Sequence, residues 1–161
     1  MKKFLTVLAV LVVTFIGGAS ADDAIVWTEV STATEFINAV KTKDASGNYT
    51  TNVKLTTNID LSGQSFDGGT VFTDIEFRGR ITGENPGGTD FYIKGTGKYE
   101  GCMLFSEVDD ASFSHLILTN FKYTHDWYAE KRAILTAKSN NSTFEYITIR
   151  NSGVYNELAI L

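Results

Sequence analysis

Asp74, Glu76, Arg78 and Arg80 follow one another at every second position, two carboxylates and then two guanidinium groups. On a β-strand such alternate residues share one face, while Ile75 and Phe77 turn the other way. Carboxylates grouped in this manner can hold Ca²⁺, and a neighbouring Arg can take a proton from a sugar ring. The spacing suits equally well a solvated face bearing cross-strand ion pairs. We favour that reading, because the chain offers no second acidic cluster of the same kind. A second set of side chains is aromatic: Tyr123, His125, Trp127 and Tyr128 crowd one polar stretch. Rings in an exposed loop bury much area at little entropic cost, which makes them platforms for carbohydrate or protein ligands. Folding back over a sheet edge is the alternative. No nucleophile elbow, zinc-ligand spacing, phosphate loop or nonapeptide calcium repeat occurs, so the expectation is no catalytic residue, no metal and no cofactor.

The element that must position these groups is a repeat. The run from Phe113 to Asn120 reads FSHLILTN, and the run from Phe144 to Asn151, 31 residues on, reads FEYITIRN. Upstream, Cys102, Leu104 and Ser106 pair with Ala133, Leu135 and Ala137. A unit this small cannot bury its own apolar face and must stack on a copy of itself. Positions 116, 118 and 120, like 147, 149 and 151, carry large aliphatic, large aliphatic, Asn. Alternation of period two marks strands with one dry face. The repeated Asn suggests an amide ladder between parallel, in-register layers. His115 and Tyr146 then align on the outward face, stacked on each other or on a sugar, and Ile117 aligns outward with Thr148. A third copy starts at Ala159, Ile160 and Leu161, which would leave an open-ended or truncated stack with an edge available for self-association.

Composition agrees with strands joined by polar turns: one Pro, 14 Gly and abundant Thr, Asn and Ser. Helix signals occur once, at Thr32 and Glu35, which have capping-box spacing ahead of Phe36, Ile37, Ala39 and Val40. A helix over 33–41 would lie ahead of the first strand and cover one end of the stack. Val53 and Leu55, Ile59 and Leu61, Ile75 to Ile81, and 91–94 read as strands, with turns or loops at 63–70 and 83–90.

Residues 1–21 read as a secretion signal: Lys2 and Lys3, an apolar run over 4–16, then small residues at Ala19, Ser20 and Ala21. The apolar run is short of the roughly 20 residues that span a bilayer. Cleavage would leave residues 22–161 as a single domain with no membrane span. The formal net charge of −5 becomes more negative once the two lysines leave, and no basic stripe remains to neutralise phosphates, so nucleic acid is a poor candidate partner. Cys102 is the single cysteine, which rules out an internal disulfide.

Residues 101–120, GCMLFSEVDDASFSHLILTN, are similar to the GLUG motifs of secreted bacterial surface proteins, the match being carried by Leu104, Phe105, Val108, Ala111, Leu116, Leu118 and Asn120. Phe72, Thr73, Phe77, Gly79 and Ile81 resemble the preceding block of that family. Asp60 to Gly63, after a helix like that at 31–41, resemble its lead-in. Ser106 stands where the family has Gly, and the second copy has Leu135 and Thr136 in place of Leu-Phe. More broadly the chain resembles right-handed parallel β-helices of the pectate-lyase-like kind. The resemblance implies a mainly β fold, a right-handed parallel β-helix (solenoid) with a short N-terminal capping α-helix. It implies a secreted or cell-surface module with a structural or adhesive role, binding an extracellular glycan or surface protein. The alternative it carries is a polysaccharide lyase with Arg78 or Arg80 as base and Asp74 or Glu76 near a metal.

Overall fold

The computed structural model describes residues 25–66, 68–98, 101–123 and 133–154. Twelve strands and one helix occur among them: β1 (Thr28–Val30), α1 (Ala33–Val40), β2 (Asn52–Leu55), β3 (Ile59–Asp60), β4 (Thr70–Phe77), β5 (Arg80–Thr82), β6 (Tyr92–Lys94), β7 (Met103–Asp109), β8 (Ser112–Thr119), β9 (Lys122–Tyr123), β10 (Thr136–Asn140), β11 (Thr143–Arg150) and β12 (Gly153–Val154). Every strand pairing is parallel. The chain is therefore mainly β, with parallel sheets and one short helix.

The repeat read from the sequence sets the register. Leu116 lies beside Ile147 and Leu118 beside Ile149, so β8 and β11 stack in the predicted alignment. The strands before and after them follow suit: Phe105 of β7 pairs with Thr136 of β10, and Lys122 of β9 with Gly153 of β12. A seven-stranded sheet runs β1-β2-β5-β8-β6-β3 with β11 on the outer side of β8, and β4, β7 and β10 form a second sheet. The first half of β8 lies on β5 and its second half on β6. The loop at 83–91 joins β5 to β6 beside the middle of β8, with Gly83 N–H bonded to Ser114 O at 3.2 Å and Ile117 N–H to Phe91 O at 3.3 Å.

Left-handed backbone recurs at three places in each copy, two at corners and one in mid-strand. Asp110, His115 and Asn120 have φ of 50°, 51° and 58°, and their partners one repeat later, Asn141, Tyr146 and Asn151, have 46°, 54° and 49°. Asn and Asp tolerate this region because their short polar side chains bond locally, which explains their recurrence at the two corners. After two of them comes a serine that serves the layer beneath. Ser142 Oγ accepts from the Ala111 N–H at 3.1 Å, and Ser152 Oγ from the Phe121 N–H at 3.1 Å. Asn120 thus belongs to a corner rather than to the dry face. It is half-buried, Asn151 is exposed, and the Asn120 amide donates to Gly95 O at 3.2 Å. The expected Asn–Asn ladder is replaced by backbone geometry plus this link.

The core is a column of rings between the sheets. Phe72 stacks on Phe105 at 5.0 Å and Phe77 on Phe105 at 5.1 Å, and Phe113 stacks on Phe144 at 5.4 Å with planes 3° apart. Leu104, Phe105, Val108, Phe113, Leu116 and Leu118 are buried, each burial contributing about 1.5–3 kcal/mol before entropy is counted. Ile117 is buried too, contrary to its outward assignment, and stands outside this central cluster.

α1 forms as the capping box requires: Glu35 N–H donates to Thr32 Oγ1 at 3.2 Å and Thr32 N–H to Glu35 Oε2 at 3.1 Å. Hydrogen bonds from Ser31 and then Thr32 hold the Glu35 carboxyl below its usual range. Phe36, Ala39 and Val40 are buried, and the helix packs on β1, β2 and β3, covering one end of the stacked strands. Two boundaries differ from expectation. β1 precedes the helix, and β4 begins at Thr70, within what reads as a turn, with a register shift between Phe72 and Glu76.

Candidate functional site

β4 turns Ile75 and Phe77 inward and exposes Asp74 and Glu76, as alternation demands. Arg78 then occupies the corner between β4 and β5, its N–H bonded to Tyr49 O at 2.9 Å. Arg80 does not join the other three: it lies in β5, which belongs to a different sheet from β4, and pairs with Asn52 and Ser112. The corner that ends β4 redirects the chain, so a run that looks continuous in sequence is split across two faces.

Arg78 is held by carboxylates. It pairs with Glu76, with Asp109 Oδ2 at 2.6 Å and with Asp110 Oδ2 at 3.9 Å. The hydrogen bond that Arg78 donates to Glu76, with the charges of the two aspartates, raises its already high pKa against the opposing effect of desolvation. A guanidinium so placed is a structural clamp joining one strand layer to the next, and it is a poor proton acceptor. Among the described residues no group of three or more His, Cys, Asp or Glu is arranged to hold a metal ion.

Two further ion pairs bridge layers on the outer face. Lys94 Nζ reaches Asp60 Oδ2 at 2.8 Å, and Lys138 Nζ reaches Glu107 Oε2 at 3.4 Å. Partial desolvation pulls the Asp60 carboxyl up, but the hydrogen bonds from Lys94 and Ser62 outweigh it and hold Asp60 at about 2. Because the folded-state value is depressed, its contribution to stability is present above the unfolded value and is lost as pH falls through about 2. In Lys94→Ala the Asp60 carboxyl is expected to rise from about 2 toward its ordinary 3.8, read by carbon-detected NMR titration. An unmoved Asp60 would show that the Ser62 bonds alone set its value.

The described aromatic feature of the outer face is His115 on Tyr146. Their rings stack at 4.6 Å and 26°, and Tyr146 is 72% exposed. Asp90, from the loop at 83–91, brings Oδ2 to 3.4 Å from His115 Nδ1. Both rings sit on left-handed residues in mid-strand. The sequence aligns the two rings; it carries no sign that the loop supplies a carboxylate. Of the expected ligand residues, Tyr123 lies in β9. His125, Trp127 and Tyr128 lie outside the described residues, as do the segments expected to form a secretion signal and to begin a third copy.

No helix among the described residues is long and apolar enough to cross a membrane. No protein family, curated sequence or solved structure matches the chain.

Proposed function

We propose that this chain is a secreted or cell-surface module with a right-handed parallel β-helix (solenoid) fold, non-catalytic, with a structural or adhesive role toward an extracellular glycan or surface protein. The fold reading draws support from the parallel pairing of β7 with β10, β8 with β11 and β9 with β12 at one 31-residue step, and from left-handed residues that recur at the same three places in those two copies. It is the arrangement implied by the resemblance to GLUG-motif and pectate-lyase-like proteins. The lyase alternative loses its base, because Arg78 is engaged by three acidic side chains and Arg80 is on another sheet.

The observation that carries the binding reading is the exposed Tyr146 ring stacked on His115 beside Asp90. A flat ring next to a carboxylate suits a sugar, whose apolar C–H face packs on the ring while its hydroxyls donate to the acid. Tyr123, His125, Trp127 and Tyr128 remain candidate contacts on their residue types alone. Tyr146→Ala is expected to weaken binding to an extracellular glycan about tenfold, the usual effect of removing one well-packed aromatic contact. Binding on a glycan array that survives unchanged in Tyr146→Ala, and in a Trp127→Ala, Tyr128→Ala double variant, overturns the assignment. Ultraviolet-absorbing unsaturated products from acidic polysaccharides with Ca²⁺, lost in Arg78→Ala, would restore the enzyme reading.

A further inference from the structure

The two ends of the strand stack are unlike. At one end α1 and β1 lie over β2 and β3, and Val30, Phe36 and Val40 are buried there. At the other end β11 pairs with β8, and among the described residues its outer edge has no strand beside it. β11 repeats the pattern of an interior strand. Phe113, Leu116 and Leu118 in β8 are fully buried, whereas Phe144 and Ile149, stacked one layer beyond, are 40% and 42% exposed. Edge strands are ordinarily blunted by Pro, by a bulge or by a charge at an inward position. β11 has no Pro and no inward charge: its inward positions are Phe144, Ile147 and Ile149, and it pairs with β8 without a register shift, although Tyr146 is left-handed at mid-strand.

We infer that this uncovered edge, with the apolar layer of Phe144, Ile147 and Ile149, docks a second copy of this chain about a twofold axis. Charge decides the orientation. Glu145 stands near the start of β11 and Arg150 at its end, both exposed. A twofold axis perpendicular to the strands reverses the partner strand, so Glu145 of each copy approaches Arg150 of the other. A copy laid on in parallel would set Glu145 over Glu145 and Arg150 over Arg150. The covered end sets the extent: among the described residues α1 buries the apolar layer at the other end, so the assembly is expected to close at two, whereas two exposed apolar layers would propagate a fibre. This inference rests on the strand register and the exposed layer; Tyr146 lies on the same strand, so a glycan on its ring and the second copy would compete for this edge.

Sedimentation velocity of the chain as recovered from a secreting host tests it. The expected result is a reversible equilibrium between monomer and dimer that stops at dimer. Glu145→Arg is expected to raise the dimer dissociation constant about tenfold, and adding Arg150→Glu to recover it, because the swapped pair is again complementary. Both sites are exposed, so circular dichroism and the unfolding midpoint should stay put and report that the variants fold. A chain that stays monomeric to about 100 µM overturns the inference. So do species growing past dimer, a charge swap that recovers nothing, or a monomer that dimerises only when residues 155–161 are deleted. The last result would make the chain's own tail the occupant of the edge.

Discussion

Phe105→Ala is expected to cost about 4 kcal/mol, the largest loss from any single truncation in this fold. Phe105 is fully buried at the meeting point of the ring column, 5.0 Å from Phe72, 5.1 Å from Phe77 and 5.7 Å from Phe113. Truncation removes the transfer free energy of the ring and leaves a hole between two sheets whose strands are fixed by ladders on both sides. The surroundings can collapse only partly, so the cavity persists and adds its own cost. Set against a total stability of about 5–15 kcal/mol, the variant is expected to sit near the unfolding threshold. Phe144→Ala is the internal comparison. It occupies the stacked position over Phe113 but is 40% exposed, so about 1 kcal/mol is expected there. Urea unfolding followed by circular dichroism reads both. If the two truncations cost the same, burial does not fall from Phe105 to Phe144, and the idea of an uncovered last layer fails with it.

Most of what the sequence made legible came from one period. The identity of residue types at 116 and 147, or 118 and 149, reflects a physical demand: side chains that stack on one another must match in size and polarity. The register follows once the match is seen. The same step also places Arg78 beside Asp109, but nothing local marks that pair, because a charged corner residue has no packing pattern to repeat. The contact between Asp90 and His115 is hidden for a similar reason. The loop at 83–91 has no counterpart in the later repeat, so no alignment predicts where it lands. β1 escaped because only Val30 of its three residues is buried, too few for a periodicity. Thr70 to Phe72 escaped because Gly68 and Gly69 immediately ahead read as turn, yet Phe72 is drawn into strand by its stack on Phe105. The Asn pair misled in the opposite direction. Its recurrence is real, but the backbone conformation at the corner demands it, and no amide ladder is needed to account for it.

That corner geometry sets the second large effect, at Gly79. Between β4 and β5 the chain passes so close to the strand layer beneath that a Cβ at 79 would run into the carbonyl oxygen of Thr51. It would also lie 2.9 Å from the carbonyl carbon of Thr51 and 2.8 Å from Cζ of Phe77. Two of these three obstacles are backbone, and the third is a fully buried ring, so neither can swing aside. The approach is fixed from both directions: Arg78 N–H bonds to Tyr49 O at 2.9 Å, and Ser112 N–H bonds to Gly79 O at 3.0 Å. Relief therefore requires the corner to lift off the layer below, weakening the pairing of Asn52 with Arg80 and loosening the Arg78 clamp with it. Gly79→Ala is expected to lose about 3 kcal/mol, the upper part of the usual range for overpacking. Gly63→Ala is the control, since nothing lies within 4 Å of its added Cβ and its φ is not left-handed. A loss no greater than about 0.5 kcal/mol is expected there, with a slight gain allowed by the stiffer unfolded chain. Equal unfolding midpoints for the two variants would mean that successive layers are not in close backbone contact at this corner. The stacking on which the fold depends would then have to be carried by side chains alone.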